Sequence, residues 1–470
     1  MNAIDWPRHV RHKDSPPGME SPFDRPPNGL MTPNQANAPG RGSLSGVSLG
    51  VAWRLGGRML LLDRLLRSFI VYGDLTVIGP DGRSRRYGRG GIPGVAPSAI
   101  RVAKRSTAWK LALDPSLRLG EAYMDGDLTI EEGDLYNFLA LCIYNLGRRR
   151  RSGKTGWAER LGRIARHVLT HNPVDRARRN VAHHYDLSDQ LYRLFLCADQ
   201  QYSCAYFERP DMSLEAAQEA KKRHIAAKLF LKPGQHVLDI GCGWGGLALS
   251  LAHWADVKVT GITLSEEQLK VARQRAQAEP FHLVSFEPCD YRHVVGTFDR
   301  IVSVGMFEHV GPSHYRAFFE RVRNLLTGDG VALIHSIGRS DGPGATNSWI
   351  RKYIFPGGYC PALSEVLPAI EQAGLIVTDI EILRLHYAET LKEWRRRFLD
   401  RRDHIRLLYD ESFSRMWEFY LASSEASFRY DGLMVFQIQL AKSIDAVPIT
   451  RDYMGARKDW SDVPHRLAIG

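Results

Sequence analysis

The stretch His236–Gly246, which reads HVLDIGCGWGG, decides the fold of this chain. A short apolar run ends in an acidic residue and an isoleucine, and glycines follow at 241, 243, 245 and 246. The apolar run is typical of a buried strand, and the glycines allow the chain to turn tightly into a helix. Glycine also lets a ligand approach the backbone where a Cβ would block it. The stretch therefore predicts a strand, a ligand-binding loop and a helix.

Two classes of ligand use a loop of this kind. Gly241, Gly243 and Gly246 satisfy the spacing of a dinucleotide site. Asp239 argues against a dinucleotide, because a carboxylate there would face a pyrophosphate. The next strand ends in 263–265, Thr-Leu-Ser, without the carboxylate that would bind a ribose. A carboxylate suits a cationic ligand, and S-adenosylmethionine carries a sulfonium and an ammonium. The loop therefore predicts a site for this methyl donor.

The region around the loop alternates strands and helices, as a doubly wound α/β domain does. Strands are predicted at 237–240, 257–262, 283–287, 298–304, 331–337 and 432–440, and helices at 246–254, 265–278, 315–326 and 387–428. Ligands bind such sheets at the carboxyl ends of the strands. We therefore expect the residues at or near those ends to converge on one crevice: Gly241, Thr263, Asp290, Glu308 and His335.

Composition limits the class of protein. A chain of 470 residues is long enough for two domains. A net charge of +11 suggests an anionic partner, either nucleic acid or an acidic membrane surface. No stretch approaches the roughly 20 apolar residues of a membrane span, and no secretory signal is visible. The six cysteines are scattered without zinc spacing, which favours reduced thiols, a cytoplasmic location and no metal site.

Five regions are predicted along the chain: a disordered tail at 1–48, a small α+β domain at 57–146, a basic linker at 147–180, the catalytic region at 181–445 and a carboxyl-terminal tail at 446–470. In the linker, Trp157, Leu161, Ile164 and Val168 fall on one helix face among many arginines. This pattern fits an interfacial membrane helix or a solvated linker that packs on a neighbouring domain, and both remain open. Nucleic acid is disfavoured, because no recognisable binding module accompanies the charge.

Long motifs in residues 57–445 resemble the cyclopropane-fatty-acyl-phospholipid synthases, which are relatives of the mycolic acid cyclopropane synthases. The motifs are GEAYMDG at 120–126, NVAHHYDLS at 180–188, QYSCAYF at 201–207, the loop at 237–246, SVGMFEHVG at 303–311 and WIRKYIFP at 349–356. The resemblance implies a class I S-adenosylmethionine-dependent methyltransferase fold, with a doubly wound seven-stranded sheet and a smaller amino-terminal α+β domain that engages lipid. That domain favours the phospholipid branch of the family.

The resemblance implies transfer of a methylene group from S-adenosylmethionine to a cis double bond in a phospholipid acyl chain. The intermediate would be a carbocation, and bound bicarbonate would be the base that removes its proton. The positions that match the bicarbonate cage are Cys204, Glu308, His335, Ile337 through its backbone, and Tyr387. The positions that match donor binding are Tyr202, Ser203, Asp239, Gly241, Gly243, Thr263, Leu264, Gln268, Asp290 and Tyr291.

Other functions are compatible with the same fold. A fatty-acyl C-methyltransferase would leave a methyl branch instead of a ring, and an amine or oxygen methylase would need no cage. A regulatory protein with an idle fold would not need the complete set of site residues. We expect an enzyme that binds the inner membrane surface peripherally through anionic lipids, and a homodimer is compatible with the sequence. One departure from the family is Ser424, where some members carry a cysteine.

Overall fold

The computed structural model describes residues 60–152, 189–278 and 283–456. The predictions for 1–48, for most of the basic linker and for the motif at 180–188 lie outside these ranges. The small region is built on a four-stranded sheet with strand order β2-β1-β3-β4. Its elements are α1 (60–69), β1 (Leu75–Ile78), β2 (Ser84–Tyr87), β3 (Ser98–Val102), α2 (Arg105–Leu113), α3 (Pro115–Met124), β4 (Leu128–Glu132) and α4 (Leu135–Arg151).

Residues 80–82 form the hairpin turn between β1 and β2. Gly82 has a φ of +74°, which glycine adopts without steric cost, and its N–H donates to the carbonyl oxygen of Gly79 at 2.9 Å. α4 extends into the predicted basic linker at 147–180 and includes the arginines at 148–151. Arg148 lies over the ring of Tyr72 at 4.7 Å, so part of the basic run packs on the small sheet.

The large sheet has seven strands in the order β10-β11-β9-β8-β5-β6-β7. They are β5 (His236–Ile240), β6 (Lys258–Ile262), β7 (Val284–Glu287), β8 (Phe298–Val304), β9 (Leu326–Arg339), β10 (Ile376–Leu383) and β11 (Leu433–Ala441). The pairs among β5 to β9 are parallel, whereas β11 runs antiparallel to both of its neighbours. This arrangement confirms the doubly wound sheet and the expected final strand.

The other elements of the large region are helices. They are α5 (Asp189–Phe195), α6 (Leu214–Lys228), α7 (Gly246–Ala255), α8 (Glu266–Ala278), α9 (Tyr315–Leu325), α10 (Ser348–Tyr353), α11 (Leu363–Gln372), α12 (His386–Asp400), α13 (Arg402–Leu408), α14 (Glu411–Tyr430) and α15 (Tyr453–Ala456). The helical segment predicted at 387–428 consists of three helices, α12 to α14. Within the described ranges, no helix is both long and apolar enough to cross a membrane.

Aromatic side chains join α3, α10 and α14. Trp349 on α10 is 1% exposed, and its ring lies 4.7 Å from that of Phe419 on α14. A Cβ on Gly120 of α3 would stand 2.4 Å from Nε1 of Trp349, so only glycine fits there without movement. Glu121 accepts hydrogen bonds from Lys352 at 2.7 Å and from Tyr353 at 3.0 Å. Two motifs that are far apart in the sequence, at 120–126 and at 349–356, therefore form one packed contact.

Candidate active site

The glycine loop turns from β5 into α7 through left-handed backbone. Gly241, Gly243 and Gly245 have φ values of +85°, +57° and +85°. A Cβ on Gly241 would stand 2.9 Å from Met306, and one on Gly245 would stand 2.6 Å from Phe286. A Cβ on Gly243 would meet no protein atom within 4 Å. Gly241 and Gly245 therefore permit protein packing, whereas Gly243 leaves open space beside the loop.

This open space belongs to a cavity at the carboxyl ends of β5, β6, β7 and β8. All ten residues predicted to bind the donor line it: Tyr202, Ser203, Asp239, Gly241, Gly243, Thr263, Leu264, Gln268, Asp290 and Tyr291. The wall also includes residues that the sequence did not single out, among them Trp244, Arg292, Met306 and His309. The structure thus brings together the whole predicted donor set, as expected for the switch point of a doubly wound sheet.

Asp239 is the carboxylate within this cavity. Its side chain is buried, and its Oδ2 atom has no hydrogen-bond partner among the described residues. Burial raises the pKa of Asp239 to about 7, and the charge of Lys221 opposes that rise. A buried carboxylate oxygen without a partner is costly unless a ligand satisfies it. The arrangement suits a ligand with a positive charge, such as the ammonium of S-adenosylmethionine.

The other polar side chains of the cavity are fixed by their neighbours. Ser265 caps α8, because its Oγ accepts from the N–H of Gln268 at 3.3 Å. Both carboxylate oxygens of Asp290 accept from the guanidinium of Arg292, at 2.8 and 2.7 Å. Burial would raise the pKa of Asp290, but the hydrogen bonds from Arg292 outweigh it and the pKa is lowered. Asp290 is therefore an ionised, oriented acceptor at the cavity wall.

The loop 200–204 is anchored on an aromatic cluster. The ring of Tyr202 stacks on Trp394 of α12 at 5.2 Å, and its hydroxyl lies 2.8 Å from that of Tyr420 on α14. Burial raises the pKa of both tyrosines, so both hydroxyls are neutral. Trp394 also meets the ring of Tyr387 edge-on at 5.8 Å. The helices α12 and α14 thereby contribute the apolar wall beside the donor cavity.

The residues predicted for the bicarbonate cage are not among those that line this cavity. Glu308 and Ile337 are in direct contact, because Oε1 of Glu308 accepts from the backbone N–H of Ile337 at 2.7 Å. His335 precedes Ile337 by two residues on β9, so both share one face of the sheet. Cys204 follows Ser203 and is buried, and Tyr387 on α12 joins the same wall through Trp394.

Burial also sets the charge state of the predicted cage. It raises the pKa of Glu308 to about 7, against the hydrogen bond from Ile337, and Oε2 of Glu308 has no partner among the described residues. Burial, with the charges of Lys221 and Lys228, lowers the pKa of His335 to about 3. His335 is therefore a neutral imidazole, whose Nδ1 lies 3.1 Å from Nε2 of Gln437. Burial raises the pKa of the Cys204 thiol, which stays protonated.

Sequence reasoning missed several residues of the site. Trp244, Met306 and His309 lie inside the motifs at 237–246 and 303–311, so their position next to predicted site residues could have identified them. Burial lowers the pKa of His309 to about 4, which keeps it neutral in the cavity wall. No sequence signal identifies Lys221 as a site residue, because a lysine in a helix with mixed polarity is normally exposed to solvent.

Comparison with known proteins assigns the chain to a family. Residues 173–438 match the family model described as mycolic acid cyclopropane synthetase, which is more than half of the chain. The chain belongs to this family. It is 36% identical over 359 residues to cyclopropane-fatty-acyl-phospholipid synthase of Escherichia coli strain K12, which covers 75% of this chain and 90% of that protein. It is also 42% identical over 271 residues to a probable fatty acid methyltransferase of Pseudomonas putida, over 56% of this chain and 68% of that protein.

Solved structures agree with this assignment. The cyclopropane synthase MmaA2 of Mycobacterium tuberculosis matches with a TM-score of 0.55 and 34% identity, over 58% of this chain and 99% of that one. Mycolic acid cyclopropane synthase CmaA1, solved with S-adenosylhomocysteine and CTAB, matches with a TM-score of 0.54 and 35% identity over the same shares. The expected class I S-adenosylmethionine-dependent methyltransferase fold and the expected enzyme family are confirmed, and S-adenosylmethionine is the donor.

Proposed function

We propose that this enzyme transfers a methylene group from S-adenosylmethionine to a cis double bond in the acyl chain of a membrane phospholipid and forms a cyclopropane ring. The observation that carries the proposal is the placement of Glu308. This buried carboxyl contacts Ile337, while Gly305 and His309 on either side of it line the donor cavity. The Escherichia coli relative, which this chain covers over 90% of its length, bears the name of this activity.

The wall around the site suits a reaction on hydrocarbon. An alkene is a weak nucleophile, so the methyl donor and the double bond must be held together, and positioning of this kind can supply several kcal/mol. The carbocation that follows must be shielded from water. Trp394 and Tyr420 are buried beside the donor cavity and provide that apolar surface. A heteroatom acceptor would not require such shielding.

The residues present fit a bound bicarbonate. Oε2 of Glu308 is buried without a partner among the described residues, and the pKa near 7 allows this carboxyl to hold or accept a proton at neutral pH. His335 and Ile337 lie on the same face of β9 beside it. Bicarbonate, when bound, would supply the base that takes the proton from the new methyl group. Glu308 would orient it, and the neutral His335 would add an uncharged polar contact.

Transfer to defined vesicles tests the activity. Labelled S-adenosylmethionine should label vesicles of monounsaturated phosphatidylglycerol and leave fully saturated vesicles unlabelled. Removal of dissolved carbonate should lower the rate, and its return should restore it. Equal labelling of saturated vesicles, or label in the headgroup alone, would refute a reaction at the double bond. An unchanged rate without carbonate would refute the bicarbonate step only.

A methyl-branched product is the second candidate. The chain is 36% identical over 417 residues to tuberculostearic acid methyltransferase of Mycobacterium tuberculosis, over 86% of this chain and 93% of that protein. Both products require the same donor site and the same carbon chemistry, and they differ in the fate of the intermediate. Nuclear magnetic resonance of the product distinguishes them, because ring protons resonate upfield of acyl methyl groups.

We infer that the enzyme meets its substrate at an anionic membrane surface through α2. Trp109 is 40% exposed and Leu113 is 63% exposed, one turn apart, with exposed Arg105 and Lys110 beside them. Exposed apolar side chains flanked by cations favour contact with an anionic membrane surface. Leu113→Gln should weaken sedimentation with anionic vesicles. Leu407→Gln, which changes an isolated exposed leucine on α13, is the matched control, and equal behaviour of the two variants would refute this surface.

A further inference from the structure

Lys221 is a lysine inside the protein. It lies on α6, is 1% exposed, and donates from its ammonium to Oγ of Ser203 at 2.9 Å and to Oε1 of Gln201. Gln218, one turn earlier on the same helix, donates to the carbonyl oxygen of Ser203 at 3.0 Å. Two side chains of α6 therefore hold the loop 200–204, which carries Tyr202, Ser203 and Cys204 along the donor cavity.

These hydrogen bonds do not explain why the residue is charged. Both acceptors are neutral, and a glutamine could donate to them without the cost of burying an ammonium. Burial lowers the pKa of Lys221 to about 8, so it is still mainly protonated at neutral pH. The titratable and charged groups that interact with it are Cys197, Asp199, Cys204, Lys222, Asp239 and His335.

Asp239 differs from Asp199, the other carboxylate among these groups, in its charged partners. Asp199 already has Lys222 at 2.9 Å and Arg275 as partners, whereas Asp239 has Lys221 as the charge that opposes the effect of burial on it. Lys221 does not line the donor cavity, but Asp239 does. Lys221 can therefore act on the carboxylate without occupying the space of the ligand.

We propose that Lys221 is a positioning residue of the donor site, which fixes the loop 200–204 and favours the carboxylate form of Asp239 that receives the cationic donor. The proposal rests on the proposed function only in taking S-adenosylmethionine as the ligand. It makes donor affinity depend on pH in a defined way. Below neutral pH the charged lysine raises the fraction of Asp239 that is ionised, whereas above about pH 8 the lysine loses its proton and its contribution disappears.

Calorimetric titration with S-adenosylmethionine between about pH 6 and pH 9 tests this dependence. Lys221→Gln keeps a hydrogen-bond donor for the loop but removes the charge. If the pKa of Asp239 then rises by about one unit, affinity falls about tenfold at the acid end and little at the alkaline end. Comparison with the parent protein at each pH cancels the titration of the donor itself.

Lys228→Gln is the matched control, because Lys228 is also 1% exposed on α6 but pairs with Asp379 at 3.1 Å and with Glu381. It should lower the temperature of unfolding and leave the pH profile of donor affinity unchanged. The same loss at every pH for Lys221→Gln, or no loss, would overturn the proposal.

A second variant covers failure of Lys221→Gln to fold. Asp239→Asn removes the titrating group, so its donor affinity should be weaker than that of the parent and should lose the acid-side dependence. If Asp239→Asn keeps the pH profile of the parent, Lys221 cannot act through this carboxyl and the proposal is overturned. These titrations contain no lipid, so their outcome is independent of the vesicle experiments that test the proposed reaction.

Discussion

Gly243→Val should abolish donor binding while the fold survives. The backbone of Gly243 has a φ of +57°, and a Cβ there meets no protein atom within 4 Å. The protein therefore has room for the side chain, and its cost to the fold is backbone strain alone, about 1–2 kcal/mol and somewhat more for a β-branched residue. The same side chain enters the space beside the loop that the donor needs. Excluding the donor from that space should cost at least about 3 kcal/mol, or roughly a hundredfold in affinity.

A matched control separates strain from exclusion. Gly82→Val places the same residue at a φ of +74°, also with nothing within 4 Å, in the hairpin turn between β1 and β2. Both variants should unfold a few degrees below the parent in thermal unfolding. Calorimetry with S-adenosylmethionine and S-adenosylhomocysteine should show normal binding for Gly82→Val and none for Gly243→Val. Normal donor affinity in Gly243→Val would refute the assignment of the cavity.

Three further predictions concern catalysis and stability. Glu308→Gln should lower turnover by at least about a hundredfold while donor affinity is retained. The activity of the parent enzyme should fall as pH drops below about 7, whereas the residual activity of the variant should not. Unchanged turnover would exclude a role of this carboxyl in catalysis. Gly120→Val should destabilise the protein by about 1–3 kcal/mol in denaturant unfolding, because its side chain collides with Trp349, and a smaller effect would mean that the packing relaxes. The pKa of Asp199 is lowered to about 2, because the charges of Lys222 and Arg275 outweigh burial, so its stabilisation is present above about pH 4 and lost as pH falls toward 2. Asp199→Asn should destabilise the protein at neutral pH, and its stability should depend less on pH between about 4 and 2 than that of the parent. Acid unfolding like that of the parent would contradict the stabilising role of these ion pairs.

Local patterns were sufficient for the regular part of the α/β region. β8 was predicted over the bounds that the structure shows, and β5, β6 and α8 differ by one residue at one end. Strong apolar runs bounded by glycine or a capping serine carry this information in the chain itself. The donor residues followed because the carboxyl ends of parallel strands meet at one edge.

Long-range packing was beyond the reach of such patterns. The strand β10 and the helix α11 were not predicted, and α11 contains Pro368, which usually disfavours a helix interior. The segment predicted to be helical at 387–428 breaks twice, at Arg401 and near Tyr409, where no proline or glycine marks the ends.

The burial of individual side chains was also not predictable from the sequence. Lys221 is inside the protein because the loop 200–204 packs on it from a distant part of the sequence, and no local pattern in α6 predicts that contact. The cage was predicted by resemblance alone. The structure supplies the contact between Glu308 and Ile337, which are 29 residues apart.

The most direct test of the proposed reaction is the structure of the lipid product formed in cells. Cells that express the protein would be fed methionine with a deuterated methyl group, and their phospholipids would be examined by mass spectrometry and nuclear magnetic resonance. We expect acyl chains heavier than their monounsaturated precursors by one methylene that keeps two of the three deuterium atoms, together with upfield ring-proton signals. Both should be lost in Glu308→Gln cells. Acyl chains without label, or label confined to the headgroups, would contradict the proposed reaction.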